Sequence, residues 1–353
     1  MSEVENSAAL GRWPWIVIAA FALVLLLFTK DEPESWADAS RMGTIQGLVE
    51  QGTLALDDTD YLWQGDKVQL GGKFYSHQPP MMALLGSLPY GALHMFGRGI
   101  ADPGTYYWIT LISVGIPVLL GLICLGTLMR RIGASQGQSA WLLAAASFGT
   151  LLLPYSLVLN QHGLAAGLVM ISLWAVNERR LALAGVLLSL ATTTDLTAVF
   201  FALAMVLPVA WPHLLGATSK DVRAGLTGIG AVLRYGLAAM PVLALHFGIN
   251  YSIAGDLKPL GLHLEGFEYS MSPFLLMSLT GGGESGADGS LLAYTWGALF
   301  GGSGLFSHHP VVLWAGVLGV FALVRAARQR GVARSVVDGS GAAASLLLAT
   351  SLA

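Results

Sequence analysis

Two short polar stretches carry the residue types that chemistry needs. Asp38 and Arg41 stand three apart in Ser35-Trp36-Ala37-Asp38-Ala39-Ser40-Arg41, which places both on one face of a helix. A carboxylate so placed can take a proton from a hydroxyl, and a guanidinium can hold an anion. A structural reading stands beside this one: Ser35-x-x-Asp38 resembles a capping box, with Asp38 favoured in the first turn by the helix dipole. The second stretch is Gly72-Lys73-Phe74-Tyr75-Ser76-His77-Gln78-Pro79-Pro80. Pro80 suits a first helical position and Pro79 keeps Gln78 extended, so His77 and Gln78 point into the space above the next helix. His77 alone also reads as an ordinary surface histidine.

Further polar residues fall at the ends of apolar runs: Asn160 and His162, Asp195 in Thr192-Thr193-Thr194-Asp195, Asn250, and His308 with His309. Ionisable groups at membrane depth are candidates for function, although the Thr run with Asp195 also suits a tight hairpin. His263, Glu265 and Glu268 with His308 and His309 have the atom types for a divalent metal but no fixed ligand spacing. No metal or other cofactor is therefore assigned. Gly281-Gly282-Gly283-Glu284-Ser285-Gly286 reads as a loop and lacks the Lys and Ser/Thr of a phosphate-binding P-loop.

The elements that position these residues follow from composition. Apolar residues make up 54% and charged residues 11%, against roughly a quarter charged in soluble domains. The chain reads as a single all-α polytopic membrane domain over 1–353, with about 8–9 transmembrane helices. Arg12 and the run 13–28 form an uncleaved first span, and Cys124 sits in an apolar run as an inert thiol. Arg130/Arg131, Arg179/Arg180, Lys220/Arg223 and the Arg cluster 325–334 belong on the cytoplasmic side. That assignment makes 13–28, 105–129, 140–159, 163–176, 181–194, 196–211, 229–253 and 310–324 the crossings. The runs 81–96 and 291–306 become helices at the outer interface. The last run, 341–353, is too short to span and reads as a truncated end or a partial helix.

Two outer loops result, 30–104 with interfacial helices and 254–309. Sixteen of the 21 acidic residues then lie outside, nine of them between Lys30 and Lys73. Met42, Ile45, Leu48 and Val49 recur at helical spacing after Asp38, so this helix is expected along the membrane surface, with Gly52 as its stop.

Asp-x-x-Arg on a first-loop helix, followed by G-K-x-Y-S-x-x-P-P before an interfacial helix, resembles GT-C fold glycosyltransferases. The similarity is to the bacterial branch akin to protein O-mannosyltransferases and lipid A aminoarabinose transferases. Asn160-Gln161-His162, Phe247-Gly248-Ile249-Asn250-Tyr251 and Gly304-Leu305-Phe306-Ser307-His308-His309-Pro310 extend it more weakly. The resemblance implies an inverting transfer from a polyprenyl-phosphate sugar to an acceptor hydroxyl on a lipid, glycan or protein, at the outer face of the cell inner (plasma) membrane. It makes Asp38 the general base and Arg41, with Lys73 or His77, the neutraliser of the leaving phosphate. Tyr75, Gln78, Asn160, His162, Asp195 and His308 are the further substrate-binding candidates. Where the family often has a Lys just before Pro-Pro, this chain has Gln78, which donates a hydrogen bond but carries no charge. Two other classes remain open: a lipid or sugar transporter or flippase, and a non-catalytic membrane assembly protein. A nucleic-acid partner has no basic patch behind it.

Overall fold

The computed structural model describes residues 9–216, 222–269, 272–273, 296 and 299–300, and the described chain is mostly helical. Gly281–Gly286, His308, His309 and the runs 310–324 and 341–353 lie outside the described residues. Helix α1 (Arg12–Phe28) is apolar on every side. It buries Ile18, Phe21 and Leu25 while exposing Trp13, Ile16, Leu23, Leu26, Leu27 and Phe28. Such a helix offers water no polar face.

Helix α2 (Trp36–Gln46) starts where the sequence indicates: the Asp38 backbone N–H donates to Ser35 Oγ at 3.1 Å. It runs on as a π turn, Gly47–Gln51, and ends at Gly52 in the left-handed region (φ 69°). Burial in α2 goes beyond the apolar stripe read from the sequence. Residues 38–46 are all buried, polar ones included. Burial is tolerated because the polar groups find partners elsewhere in the chain. Ser40 Oγ bonds the Asp66 carbonyl (2.8 Å), and Gln46 Nε2 reaches Asp60 Oδ2 (3.2 Å).

One departure from an all-α fold is a hairpin. Strands β1 (Lys67–Leu70) and β2 (Lys73–Ser76) pair antiparallel, with Lys67 opposite Ser76 and Leu70 opposite Lys73. Gly71 and Gly72 both take positive φ (57° and 81°), which a two-residue hairpin turn demands and glycine supplies. The hairpin leads into α3 (Pro80–Met95), which has Pro80 in its first turn and Pro89 inside. Ile45 of α2 packs on Gly86 of α3, where an added Cβ would come within 2.6 Å of Ile45 Cδ1.

Helix α4 (Thr105–Thr110), a π turn (Leu111–Gly115) and α5 (Ile116–Arg131) make one run of 27 residues, about 40 Å long at 1.5 Å per residue. The apolar run 140–159, expected as one crossing, is instead broken. Helix α6 (Gln136–Phe148) and α7 (Leu152–Ser156) are separated at Gly149-Thr150-Leu151. Thr150 Oγ1 donates to the Ala146 carbonyl (2.7 Å) and accepts the Leu152 N–H (3.1 Å), local bonds that compete with the helix ladder. Helix α8 (Gln161–Asn177) is capped by Asn160, whose Oδ1 accepts the His162 N–H at 2.8 Å. Helix α9 (Leu181–Thr194) follows. The α5–α8 contact is made by glycines: a Cβ on Gly167 would lie 2.8 Å from the Pro117 carbonyl, and one on Gly121 3.0 Å from the Gly167 carbonyl. Small residues allow this close approach of two helix backbones.

The chain divides into two compact units, Met1–Leu203 with Leu233–Leu276, and Ala204–Val232 with Met277–Ala353. Helices α10 (Val199–Gly216) and α11 (Val222–Ala254) contribute residues to both. In the second unit, Val209 and Ala231 are buried, and the Trp296 and Phe300 rings lie 4.7 Å apart. Among the described residues two helical stretches, Thr105–Arg131 and Gly228–Ala254, are long and apolar enough to cross a membrane. Arg12–Phe28, Leu181–Thr194 and Leu196–Val206 are apolar but shorter.

The glycine contact sets a test. Gly167→Val drives two backbones apart and is expected to destabilise by about 1–3 kcal/mol. Gly137→Ala, at a position with no atom within 4 Å of the new Cβ, leaves stability unchanged or slightly raised. Thermal unfolding of both variants in detergent reads the difference.

Candidate functional site

Arg41 is the hub of the site. The residue is 4% exposed, and its two Nη groups reach four acceptors. Nη1 donates to Asp38 Oδ1 (3.3 Å) and to the Leu159 carbonyl (2.9 Å). Nη2 donates to Gln78 Oε1 (3.0 Å) and Gln161 Oε1 (2.7 Å). Its Nε has no hydrogen-bond partner. Helix α2 presents Asp38 and Arg41 on one face, the turn before α3 brings Gln78, and the start of α8 brings Leu159 and Gln161. The two readings of Ser35-x-x-Asp38 therefore separate by atom. The Asp38 backbone serves the cap, while its carboxylate turns to Arg41. Burial pushes the Asp38 carboxyl above the usual carboxylate range, opposed by Arg41. A carboxylate raised in this way is a better proton acceptor near neutral pH.

Gln78 links a second pair. Its Nε2 donates to Asp66 Oδ2 (2.8 Å), and Asp66 Oδ1 takes His77 Nδ1 at 2.7 Å. Burial would raise the Asp66 carboxyl, but the bonds from His77 and Gln78 and the charge of Arg41 hold it below the ordinary value. Ser40 Oγ meets Ser76 Oγ at 2.5 Å and fastens α2 to the end of the hairpin. The segment from Gly261 to Tyr269 packs over this edge. The Phe267 ring lies 5.8 Å from His77, Tyr269 meets Phe74 at 5.1 Å, and a Cβ on Gly261 would be 2.9 Å from the His77 carbonyl.

His162 and Asp195 form a further pair: Nδ1 donates to Asp195 Oδ2 at 2.5 Å. Asp195 Oδ1 accepts both the Thr197 N–H (3.1 Å) and its hydroxyl (2.8 Å). Burial raises the Asp195 carboxyl, but these bonds outweigh it and hold the group below its ordinary value. The hairpin reading of Asp195 thus uses Oδ1, and its contact with His162 uses Oδ2.

Of the residues singled out in the sequence, the structure joins Asp38, Arg41 and Gln78 directly. His77 belongs through Asp66, and Asn160 and His162 through the start of α8. Arg41, Thr44, Tyr75, Ser76, Gln78, Pro79 and Pro80 line one small pocket, together with apolar Leu54, Ala83, Ile253 and Leu260. The pocket has room for about one water. Lys73 stands apart, exposed beside the hairpin turn, three residues and roughly 10 Å along the strand from Ser76. Asn250 is buried in α11, donating from Nδ2 to His246 Nε2 (3.2 Å). His308 lies outside the described residues. His263 faces two carboxylates, Glu265 Oε1 at 3.0 Å and Asp256 Oδ1 at 3.3 Å. Among the described residues, no cluster of three or more His, Cys, Asp or Glu side chains is placed to hold a metal ion.

Sequence reasoning missed Asp66 and Gln161 as members of the site. Asp66 stands just before a strand that runs into the Gly71-Gly72 turn, and Gln161 lies inside the Asn160-Gln161-His162 stretch of the resemblance, but neither was singled out. Comparisons with protein families, curated proteins and solved structures find no match for this chain.

Two outcomes follow from the geometry. Arg41→Met strands the Asp38 carboxylate in a buried place and is expected to cost about 3–5 kcal/mol, with part recovered in the double variant Asp38→Leu/Arg41→Met. Equal stability of wild type and Arg41→Met in detergent melts would refute the hub. The lowered Asp66 carboxyl stabilises the fold above the ordinary Asp value, and that contribution is lost as pH falls through the lowered one. Asp66→Asn is therefore expected to be less stable than wild type at pH 7 by about 1–3 kcal/mol. The gap should narrow in melts taken below the ordinary carboxylate range.

Proposed function

We propose that this chain is an integral membrane glycosyltransferase of the GT-C kind, moving a sugar from a polyprenyl-phosphate donor to an acceptor hydroxyl. The observation that carries the reading is the buried Arg41 guanidinium. It is paired loosely with Asp38, keeps an unpartnered Nε, and borders a pocket that is polar along Tyr75–Gln78 and apolar along Leu54, Ala83, Ile253 and Leu260. The polar side matches the chemistry of a phosphate and the apolar side that of a prenyl chain.

In this reading Asp38 takes the proton of the acceptor hydroxyl. The acceptor oxygen bonds to the anomeric carbon as the bond from that carbon to the phosphate oxygen breaks, with inversion. Arg41 neutralises the charge that grows on the departing polyprenyl phosphate. A sugar is far larger than one water, so substrate entry parts the 75–80 turn from Leu260. Full topology belongs to the same proposal: about 8–9 crossings in the cell inner (plasma) membrane, with loops 30–104 and 254–309 on the outer face. Helices apolar on all sides, α1 above all, support the membrane setting.

One observation favours transport as the second reading. His246 and Asn250 are buried in a stretch able to cross a membrane, and His246 Nδ1 and Asn250 Oδ1 have no hydrogen-bond partner.

The test uses purified full-length protein with a polyprenyl-phosphate sugar donor and a pool of lipid, glycan and peptide acceptors. Transfer is expected to rise with pH through a value above the ordinary carboxylate range, because the raised Asp38 must be ionised. Asp38→Asn should lose at least 10²-fold in rate at unchanged folded yield. Full activity in Asp38→Asn sinks the mechanism. Counterflow of the sugar lipid in proteoliposomes without covalent transfer selects the transport reading.

A further inference from the structure

The Asp38–Arg41 pair is met from a further side, by a residue that nothing in the sequence marked. Tyr106 is the second residue of α4, at the start of the 27-residue run. It is 2% exposed, and a buried phenol must find partners for both its lone pair and its proton. The lone pair takes the Leu159 N–H at 2.9 Å. The proton goes to Asp38, whose carboxylate shares a hydrogen bond with the Tyr106 hydroxyl.

These bonds close a ring. Arg41 Nη1 donates both to Asp38 Oδ1 (3.3 Å) and to the Leu159 carbonyl (2.9 Å). The N–H of that same Leu159 leads through Tyr106 back to Asp38. Arg41 and Tyr106 are the charged and titratable side chains that act on Asp38, one from its own helix and one from α4. Both favour the ionised carboxylate, against the burial that disfavours it. Their other duties differ. In the transfer reading Arg41 turns part of its charge toward the phosphate, whereas Tyr106 has no second anion to serve and stays with the carboxylate.

We infer that Tyr106 is the positioning residue of Asp38: its hydroxyl holds the carboxylate ionised and fixed in direction, and the Leu159 peptide ties that hold to Arg41. The contact stands on the geometry. Its use in catalysis rests on the glycosyl-transfer reading.

Thermal unfolding of the full chain in detergent, taken across pH, tests the contact without an assay of transfer. Tyr106→Phe removes the hydroxyl and keeps the ring. Below the ordinary carboxylate range Asp38 is protonated, and the gap to wild type reflects only the Leu159 N–H left without its acceptor. As pH rises through the raised Asp38 value, ionisation costs the variant more stability than it costs wild type. The gap in melting temperature is therefore expected to widen, and to stay flat with pH in an Asp38→Asn background. Tyr106→meta-fluorotyrosine, a stronger donor of nearly the same shape, covers the case in which Tyr106→Phe does not fold. Its melting temperature is expected to fall less with pH than that of wild type. A gap that does not change with pH, or that widens equally in the Asp38→Asn background, overturns the inference and leaves the glycosyl-transfer reading standing. In the transfer assay, Tyr106→Phe is expected to move the pH midpoint up by about one unit, and an unmoved midpoint also overturns the inference. Absence of transfer by wild type overturns the glycosyl-transfer reading alone, and the melts still decide the contact.

Discussion

A guanidinium cannot shed its charge, so a buried one must find acceptors from whatever segments can reach it. Arg41 imposes that requirement here. It is met by a carboxylate one turn away, a side chain 37 residues on, and a carbonyl and an amide about 120 residues on. Helix α2 could not be buried on its polar side without them. The hairpin is needed to bring Gln78 round, and the chain must leave helical form after α7 so that the Leu159 carbonyl is free to accept. The acidic first loop is thus folded inward around one cation.

What was legible in the sequence was local. Ser35 as a cap, Gly52 as a stop and Pro80 as a first-turn residue each depend on neighbours within a few positions, and all three stand as read. The Asp38–Arg41 contact is local as well. The burial of α2 was not legible, because its apolar stripe alone suggests a helix half out of the protein. Its polar face is covered by partners that include Asp60, Asp66, Gln78 and Gln161, which lie well along the chain from it. The hairpin at Gly71-Gly72 was not read from the sequence, because its strands are four residues long and blend into the polar loop. The break at Gly149 was hidden by uniform apolarity: hydropathy does not register that Thr150 can satisfy the backbone on both sides of itself.

Charge and packing divide the molecule between two regimes. Around Arg41, directional bonds hold segments together and leave little free space. Along α5 and α8, contact rests on glycine and on close approach of the two backbones. The start of α8 belongs to both: Asn160 and Gln161 join the polar side, and Gly167 two turns later joins the packed side.

Gln78 has a consequence that reaches past its own bonds. An amide is a short dipole with an oxygen end and a nitrogen end, and here the oxygen faces Arg41 and the nitrogen faces Asp66. Turned by half a revolution, it would set donor against donor and acceptor against acceptor. The side chain therefore works as a compass needle between unlike poles. A charged residue in its place would match one pole and oppose the other: lysine would suit Asp66 and repel Arg41, and glutamate the reverse. Any ligand that neutralises either pole loosens the needle, so an event at Arg41 is felt at Asp66 and His77 through a residue that carries no charge.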